Sequence, residues 1–404
     1  MNRAASEGMA PSSGRSIVRR WLLLGAIIAL ALEAARLRMA APTPPAELTP
    51  VQVRLVLSMS PVLAPPPDPT NRLADSPAAA AFGEAVFFDA GFSADGTVSC
   101  ATCHVPALAF SDGLAVAKGL GTGKRNTPTI IDSAHQRWFT WDGRADSMWA
   151  QALHPFLSPV EMGITASDVV QRVRTVPALA AGYRAASGHD LSTDPEDTAF
   201  ATIGKCLAAY ERTVASGRSP FDEYVDALRS GDQDAASTYP IAAQRGLALF
   251  VGRGGCIRCH SSPVLSDGEF HLVGVPDAAG VLPQDVGRFQ AIGVVQSDPF
   301  NAAGSHSDAP NGDQARLTRA LLKQPELWGA VRTPSLRTAW GTAPYMHAGQ
   351  FQTLGEVVHF YNTLEGAVAL DHHAERMLAP LGLTADEEAE LVAFLESLQP
   401  TAGR

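Results

Sequence analysis

Five stretches of the chain carry apolar residues at helical spacing, and they lie at 165–182, 199–215, 241–250, 353–363 and 384–398. Apolar positions three and four residues apart are typical of amphipathic helices, whereas half-buried strands alternate strictly, a pattern that is scarce here. Asp386 and Glu387 follow Thr384 directly, which favours a capped start for the last helix. The pattern therefore predicts a mainly α protein with long loops between its helices.

One order of landmarks occurs twice along the chain. The first copy comprises Gly83 and Phe87, then 100–104, 111–113, 127–130 and 141–143, and the second comprises Gly246 and Phe250, then 256–260, 266–268, 333–336 and 347–349. Matched landmarks in the same order imply two copies of one fold unit. Because the segment 230–240 is polar and rich in turn-forming residues, we expect two domains, 71–235 and 236–400.

Two of these landmarks, Cys-Ala-Thr-Cys-His at 100–104 and Cys-Ile-Arg-Cys-His at 256–260, have the spacing of c-type haem attachment motifs. The two thiols add to the vinyl groups of one porphyrin, and the adjacent histidine ligates the iron. A zinc site would need two further nitrogen or sulfur ligands at short spacing, which neither motif has. We predict two covalently bound haem c groups, attached through Cys100, Cys103, His104, Cys256, Cys259 and His260.

Composition narrows the class of protein. A chain of 404 residues with 46% hydrophobic residues is long enough for two domains with separate cores. Its net charge of −10 argues against nucleic acid as a partner. Four of the five cysteines lie in the haem motifs, so no disulfide framework is available and Cys206 is predicted to be a small buried residue.

The N-terminal segment predicts export. Arginines precede a twelve-residue apolar run at 21–32, and small residues at 39–41 offer a cleavage site. Residues 1–41 are therefore interpreted as a signal peptide, or alternatively as an uncleaved anchor that tethers the protein to the inner membrane. Residues 42–70 are proline-rich and are expected to form an extended linker. Since haem c is attached outside the cytoplasm, we expect a periplasmic protein.

Four further segments carry a resemblance to a known family: Lys-Arg-Asn-Thr-Pro-Thr at 124–129, Trp-Asp-Gly-Arg at 141–144, Pro-Val-Glu-Met-Gly at 159–163 and Thr-Ala-Pro-Tyr-Met-His at 342–347. Over about residues 70 to 400 the chain resembles the bacterial dihaem cytochrome c peroxidase and MauG superfamily, in its MauG- or MbnH-like branch. The resemblance implies two cytochrome c-like domains, a peroxide-reacting N-terminal haem, an electron-transfer C-terminal haem and a calcium ion between them, with long loops packed at the interface.

The resemblance also assigns roles to single residues. Glu161 matches the glutamate of the peroxide pocket, Gln151 matches its neighbouring amide, and Trp141 matches the tryptophan between the two haems. Splitting peroxide requires a group that moves a proton from one oxygen to the other, which a positioned carboxylate can do. His154 is close enough in sequence to join that relay. The calcium ligands by resemblance are Asn126 and the backbone oxygens of Thr342 and Pro344.

Two departures from conventional peroxidases point to the MauG-like branch. The stretch 105–133 contains no histidine to cap the first haem. Tyr361, fourteen residues after His347, stands where conventional members have a methionine ligand to the second haem. A phenolate favours ferric and higher iron states. Met346 and Met377 are rival ligands, and Tyr361 as an ordinary core residue is the simpler alternative. Three arginines are candidates to pair with haem propionates: Arg288, Arg332 and Arg337.

Three functions remain open from the sequence. The first is a MauG-like enzyme in which hydrogen peroxide forms high-valent haem that oxidises a periplasmic partner protein, at tryptophan. The second is a cytochrome c peroxidase that reduces hydrogen peroxide to water with electrons from a small cytochrome c or cupredoxin. The third is a dihaem electron carrier, against which Glu161 and the histidine-free loop both argue.

Overall fold

The computed structural model of the protein describes residues 47–276, 285–368 and 378–401, all of which belong to one compact unit. The signal or anchor segment 1–41 lies outside the described residues. Within them the fold is mainly helical, as predicted. Two short strands, β1 (Phe270–His271) and β2 (Val331–Arg332), pair antiparallel with Phe270 opposite Arg332.

The described residues form fourteen α-helices. They are α1 (Pro50–Ser58), α2 (Pro77–Phe87), α3 (Cys100–Cys103), α4 (Met148–Leu157), α5 (Ala166–Thr175), α6 (Pro177–Ser187), α7 (Glu196–Glu211), α8 (Pro220–Ser230), α9 (Gln233–Ser237), α10 (Ile241–Val251), α11 (Arg288–Ser297), α12 (Asp313–Ala320), α13 (Leu354–Thr363) and α14 (Ala385–Glu396). Seven short 3₁₀ turns supplement them within the same residues. No helix of the described part is long and apolar enough to cross a membrane.

Local sequence explains most of the helix boundaries. Thr353 and Thr384 each form a capping box at the start of α13 and α14, which satisfies backbone N–H groups that a helix start leaves free. The stretch 165–182, predicted as one helix, is divided into α5 and α6. Val176 adopts an extended conformation there because the ring of Pro177 disfavours the helical conformation of the preceding residue.

The segment 50–58 corrects the expectation of an extended linker over 42–70. Thr49 forms a capping box and Pro50 occupies the first helical position, where its missing N–H is not needed. Val56 on α1 and Met59 directly after it are fully buried. A proline-rich composition therefore hides a short helix whose apolar side joins the second hydrophobic core described below.

Two hydrophobic cores correspond to the two copies of the repeated landmarks. The first is formed by α2 and α4 to α7 with the loops between them, and the second is formed mainly by α8, α10, α13 and α14. Helix α8 contributes Phe221 and Val225 to the second core, although it precedes the predicted boundary at 235/236. The division into 71–235 and 236–400 stays a prediction.

The repeated glycines mark the closest helix contact in each half. A Cβ atom at Gly83 on α2 would lie 2.0 Å from the carbonyl oxygen of Cys206 on α7, and one at Gly246 on α10 would lie 1.9 Å from that of Glu390 on α14. Only glycine permits backbones to approach so closely. Cys206 itself is fully buried at this contact, as predicted.

Candidate functional site

The two haem-attachment segments share one local geometry. His104 follows the four-residue helix α3, and its Nδ1 lies 3.1 Å from the carbonyl oxygen of Phe110. His260 follows the 3₁₀ turn Cys256–Arg258, and its Nδ1 lies 2.9 Å from the carbonyl oxygen of Leu265. Donation from Nδ1 fixes the tautomer and leaves Nε2 as the atom that can ligate a metal.

The surroundings of both motifs fit a haem. Burial lowers the pKa of His104 and of His260, which favours the neutral imidazole that iron requires. The rings of Phe87 and Phe250, equivalent residues of the two landmarks, lie 6.3 Å and 6.5 Å from the respective histidine rings. Two thiols and a neutral imidazole are the groups that attach and ligate haem c, and the aromatic ring beside them suits a flat apolar porphyrin rather than a hydrated ion.

A cavity beside the first motif brings together the residues expected to react with peroxide. Its walls include the attachment residues Cys100, Cys103 and His104, and also Gln151 and Glu161. Gln151 lies on α4, and Glu161 lies in the turn that follows the end of α4. The structure therefore places the predicted carboxyl, amide and first attachment motif around one cavity.

The turn that carries Glu161 is held by backbone hydrogen bonds on both sides. Glu161 N–H donates to Ser158, while Leu120 N–H donates to the carbonyl oxygen of Glu161 at 3.0 Å. Gly119 packs so closely that a Cβ atom there would lie 2.7 Å from that oxygen. The histidine-free loop is thus fastened to the Glu161 turn, which fixes the direction from which its side chain enters the cavity.

Glu211, at the end of α7, is a second carboxyl in the same cavity, and the sequence reasoning missed it. It is only 7% exposed, and burial raises its pKa to about 8. The available signal was a glutamate directly after the apolar run of α7, a pattern that also fits a solvated helix end. Because it is protonated near neutral pH, Glu211 adds a neutral acid to the cavity wall.

His154 does not face this cavity. Its Nε2 lies 2.7 Å from Oδ2 of Asp298, which follows α11 in the second half of the chain. The helical period explains the difference, since three residues beyond Gln151 bring the side chain to a neighbouring position on α4. The structure supports a role for His154 in joining the two halves rather than in a proton relay.

Trp141 lies where the two halves of the chain meet. Its indole N–H donates to the carbonyl oxygen of Asn126 at 2.8 Å, and Asn126 N–H donates to the carbonyl oxygen of His347 at 2.8 Å. The rings of Trp141 and His347 are 6.5 Å apart. The pairs Phe139–Ala145 and Tyr345–Phe351 close two equivalent loops around these rings.

The candidate calcium residues lie in the same region. Asn126 is buried, and its amide nitrogen donates to the carbonyl oxygen of Leu114 at 2.7 Å, which orients the side-chain oxygen away from Leu114. Thr342 and Pro344 belong to the segment that leads into the loop containing His347. Asn126 N–H donates to the carbonyl oxygen of His347. Oxygen donors of this kind suit calcium, and the ion stays a prediction.

Tyr361 lies on α13 and faces the second attachment motif. Burial and the nearby thiols of Cys256 and Cys259 raise the pKa of its phenol. Met346 occupies the Tyr345–Phe351 loop in a left-handed conformation (φ 71°). Met377, the other rival ligand, lies outside the described residues. The structure brings Tyr361 to the second haem region, while its role as an iron ligand stays a prediction.

Arg337 is not available to a haem propionate. Its Nη1 lies 2.9 Å from both carboxylate oxygens of Asp222, and its Nη2 donates to the carbonyl oxygen of Met59. Both side chains are buried. The expected pairing of Arg337 is therefore wrong, because a carboxylate 115 residues earlier in the chain already compensates its charge.

Comparison with known proteins gives the same class. The sequence profile of the di-haem cytochrome c peroxidase family matches residues 77–230. The chain is 37% identical to cytochrome-c peroxidase IdrP1 of Denitromonas iodatirespirans, over 84% of this chain and 87% of that protein. It is 36% identical to the methylamine utilization protein MauG of Methylorubrum extorquens, over 80% and 79% of the two chains.

A solved structure agrees with these relatives. A MauG-like protein associated with microbial copper homeostasis superposes with a TM-score of 0.64, at 29% identity, over 84% of this chain and 95% of that one. The fold and the site thus define a haem peroxidase-type oxidoreductase with two haems. The chain belongs to the dihaem cytochrome c peroxidase and MauG family.

Proposed function

We propose that this protein is a MauG-like periplasmic enzyme that uses hydrogen peroxide to oxidise a partner protein, at tryptophan. It would carry two covalently attached haem c groups and one calcium ion. The observation that carries the proposal is the shared cavity of Glu161, Gln151 and the first attachment motif. A carrier that only transfers electrons has no need of a carboxyl at that position, which argues against the dihaem electron carrier.

When bound, haem c supplies an iron that reacts with peroxide and holds oxidising equivalents. Glu161 would accept the proton of the near peroxide oxygen and return it to the far one. The amide of Gln151 would hold peroxide by a hydrogen bond, and the Nδ1 donation of His104 keeps its ring in the ligating orientation. Trp141 would connect the two haem regions through its ring.

The loop 105–133 supports access of peroxide without prior reduction. It contains no histidine, and its segment around Gly119 is hydrogen-bonded to the Glu161 turn. Burial of Gly119 against that turn leaves no room for a larger side chain. The loop therefore supplies no imidazole that would close the first iron site.

Tyr361 favours a protein oxidase over a scavenging peroxidase. Tyr361 lies beside Cys256 and Cys259, where burial raises the pKa of its phenol, so bound iron would have to displace the phenol proton for Tyr361 to ligate. A phenolate ligand would stabilise oxidised iron, whereas a methionine ligand suits uptake of electrons from a donor. The alternative is a cytochrome c peroxidase that receives electrons from a small cytochrome c or cupredoxin. The relatives include proteins named cytochrome-c peroxidase and proteins named MauG, so their names do not decide between the two functions. The choice between them depends on which residue ligates the second haem.

The peroxide step is tested with Glu161→Gln in the haem-loaded protein. Loss of a positioned proton-transfer group should slow the reaction with hydrogen peroxide about 10²- to 10⁴-fold, measured by stopped-flow absorption. Glu84→Gln is the matched control, because Glu84 lies exposed on α2 and should leave the rate unchanged. An unchanged rate in Glu161→Gln with full haem content would remove Glu161 from the mechanism.

The choice of function is tested at Tyr361. We expect the oxidised protein to lack the near-infrared charge-transfer band of methionine-ligated haem, and Tyr361→Phe to shorten the lifetime of the peroxide-oxidised protein without loss of haem. A methionine band that disappears in Met346→Leu would instead favour the cytochrome c peroxidase alternative.

A further inference from the structure

Two buried arginines at the meeting point of the two halves make no ion pair with a carboxylate of the described residues, although Asp142 and Glu269 act on Arg288 from a longer distance. Arg288 is 2% exposed and Arg332 is 4% exposed. Arg288 Nη1 donates to the carbonyl oxygen of Gly143 at 2.5 Å, and Arg332 Nη1 donates to that of Thr333 at 3.2 Å. Nearby Asp142 is paired with other arginines, so it does not compensate either charge by direct contact.

The two arginines share Phe270 as a neighbour. The guanidinium of Arg288 lies over the rings of Trp138 and Phe270, at 4.4 Å and 4.2 Å from their centres. Phe270 in turn pairs directly with Arg332 across the two strands. Burial lowers the pKa of each arginine to about 10, so both remain charged at neutral pH. Two buried cations in one region, neither in direct contact with a carboxylate, are unfavourable unless a ligand supplies negative charge.

The arginine pair lies beside the second attachment motif. Pro334, two residues after Arg332, has its backbone oxygen within hydrogen-bonding reach of the His260 ring. The hydroxyl of Ser266, in the loop after that motif, donates to the carbonyl oxygen of Thr333 at 2.7 Å. Arg332 also lines a cleft of about 890 Å³, so an anion can reach it from solvent as well as from the haem side.

The same residues hold the Trp141 loop. Arg332 N–H donates to the carbonyl oxygen of Trp141 at 2.8 Å, and its Nε is 3.4 Å from the carbonyl oxygen of Thr140. A Cβ atom at Gly143 would lie 2.3 Å from Phe270 and 2.6 Å from Arg288. A ligand that holds the two arginines in place would therefore also hold the backbone of the loop that contains Trp141.

We propose that Arg288 and Arg332 form a carboxylate-binding site, and that a propionate of the second haem occupies it. The inference rests on the haem c that the family implies, because a haem c attached at 256–260 would bring two carboxylates to this part of the molecule. A bidentate guanidinium–carboxylate contact suits this geometry, and Arg332 provides it better than a lysine would. In this arrangement, both arginines are positioning residues that link the second haem to the Trp141 loop.

The test measures the reduction potential of each haem in the haem-loaded protein by spectroelectrochemistry, without peroxide. Removing a cation next to a propionate favours ferric iron, so Arg332→Gln and Arg288→Gln should each lower the potential of the second haem and leave that of the first unchanged. Arg332→Lys should recover part of the loss, since it keeps the charge without the bidentate contact. Arg319→Gln is the matched control, because Arg319 is exposed and also donates to carbonyl oxygens.

Unchanged potentials in both glutamine variants, with full haem content, would overturn the proposal, as would a shift confined to the first haem. A second arm adds acetate to the wild-type protein. A saturable change in the second haem spectrum that is lost in Arg332→Gln would mean that a free carboxylate fills the site, which contradicts the propionate assignment. If the glutamine variants do not fold, the comparison of the wild-type and Arg332→Lys proteins still tests the proposal. Equal reduction potentials of the second haem in these two proteins would contradict a bidentate contact. None of these outcomes depends on the rate measured for Glu161→Gln.

Discussion

Glu211 shows how a residue that lines the site can be hidden in the sequence. A glutamate after an apolar helical run is normally solvated, but the end of α7 turns its side chain into the cavity of the first attachment motif. Burial is the cause of its raised pKa. By contrast, the sequence revealed Glu161 because a complete turn motif surrounds it, and the structure places it in that cavity.

The raised pKa predicts how stability depends on pH. In the unfolded chain Glu211 loses its proton near pH 4.5, whereas in the folded protein it keeps the proton up to about pH 8. The folded state therefore binds more protons between these values, and the free energy of unfolding should fall as pH rises from 4.5 to 8. Each unit of difference between the two pKa values is worth about 1.4 kcal/mol, so the total is a few kcal/mol.

Glu211→Gln should remove the fall in unfolding free energy that deprotonation of Glu211 causes. The unfolding free energy of this variant should therefore change less between pH 5 and pH 8 than that of the wild type. Urea denaturation of the haem-loaded protein at both pH values measures the difference. Glu84→Gln, which changes an exposed glutamate, should retain the wild-type pH dependence. An equal pH dependence in all three proteins would show that Glu211 is ionised in the fold.

Side-chain pairs between distant parts of the chain mark the limit of residue-level prediction. Arg337 pairs with Asp222, and His154 pairs with Asp298, across 115 and 144 residues of sequence. Nothing local in the chain indicates such partners, because they depend on how the two halves pack. For that reason the candidate pairing of Arg337 with a propionate is wrong in the structure, and the relay role that the sequence left open for His154 finds no support in its contact with Asp298.

At the scale of elements, the repeated Gly-x-x-x-Phe pattern has a physical explanation that the sequence did not provide. In each half the glycine permits a close helix crossing, and the phenylalanine one turn later packs near the histidine of the attachment motif. The repetition was visible in the sequence, whereas the crossing was not, because it requires the partner helices α7 and α14. Helix α1 escaped prediction for a related reason, since its proline-rich flanks concealed the apolar positions that its capping box organises.

The close crossing of α10 and α14 predicts that alanine substitutions at Gly246 and at Gly293 change stability in opposite directions. Gly246→Ala places a Cβ atom 1.9 Å from a backbone oxygen of α14, so α10 and α14 must separate, at a cost of about 1–3 kcal/mol or more in unfolding free energy. Gly293→Ala, on α11, meets no atom within 4 Å and should instead stabilise the protein by about 0.5–1 kcal/mol. Thermal unfolding of the haem-loaded variants compares them, and a neutral Gly246→Ala would contradict the packing.

At the scale of the whole molecule, the two halves are joined by charged contacts that bridge distant parts of the chain. Arg125 contacts Asp142 and Asp285 at 2.6 Å each, and Lys205 lies 2.6 Å from Asp308. The repeated landmarks predicted two similar units, and the family comparison supports that architecture. They did not predict the contacts between the units, because the segment 285–330 that supplies several of them has no counterpart in the first half.

The joined halves suggest that the two iron sites differ in the resting protein. The first cavity is lined by Glu161 and Gln151, the loop fastened to it contains no histidine, and His104 is the one histidine among the described residues that line it. The second site has His260 and, on helix α13 near Cys256 and Cys259, Tyr361. We therefore expect electron paramagnetic resonance of the oxidised protein to show one high-spin and one low-spin haem, because five ligands leave iron high-spin whereas a sixth protein ligand favours low spin. We also expect hydrogen peroxide to react before any reductant is added. Two low-spin signals, together with a peroxide reaction that requires prior reduction, would show that a residue from elsewhere in the chain ligates the first iron. The protein would then resemble the conventional peroxidases rather than the MauG-like branch.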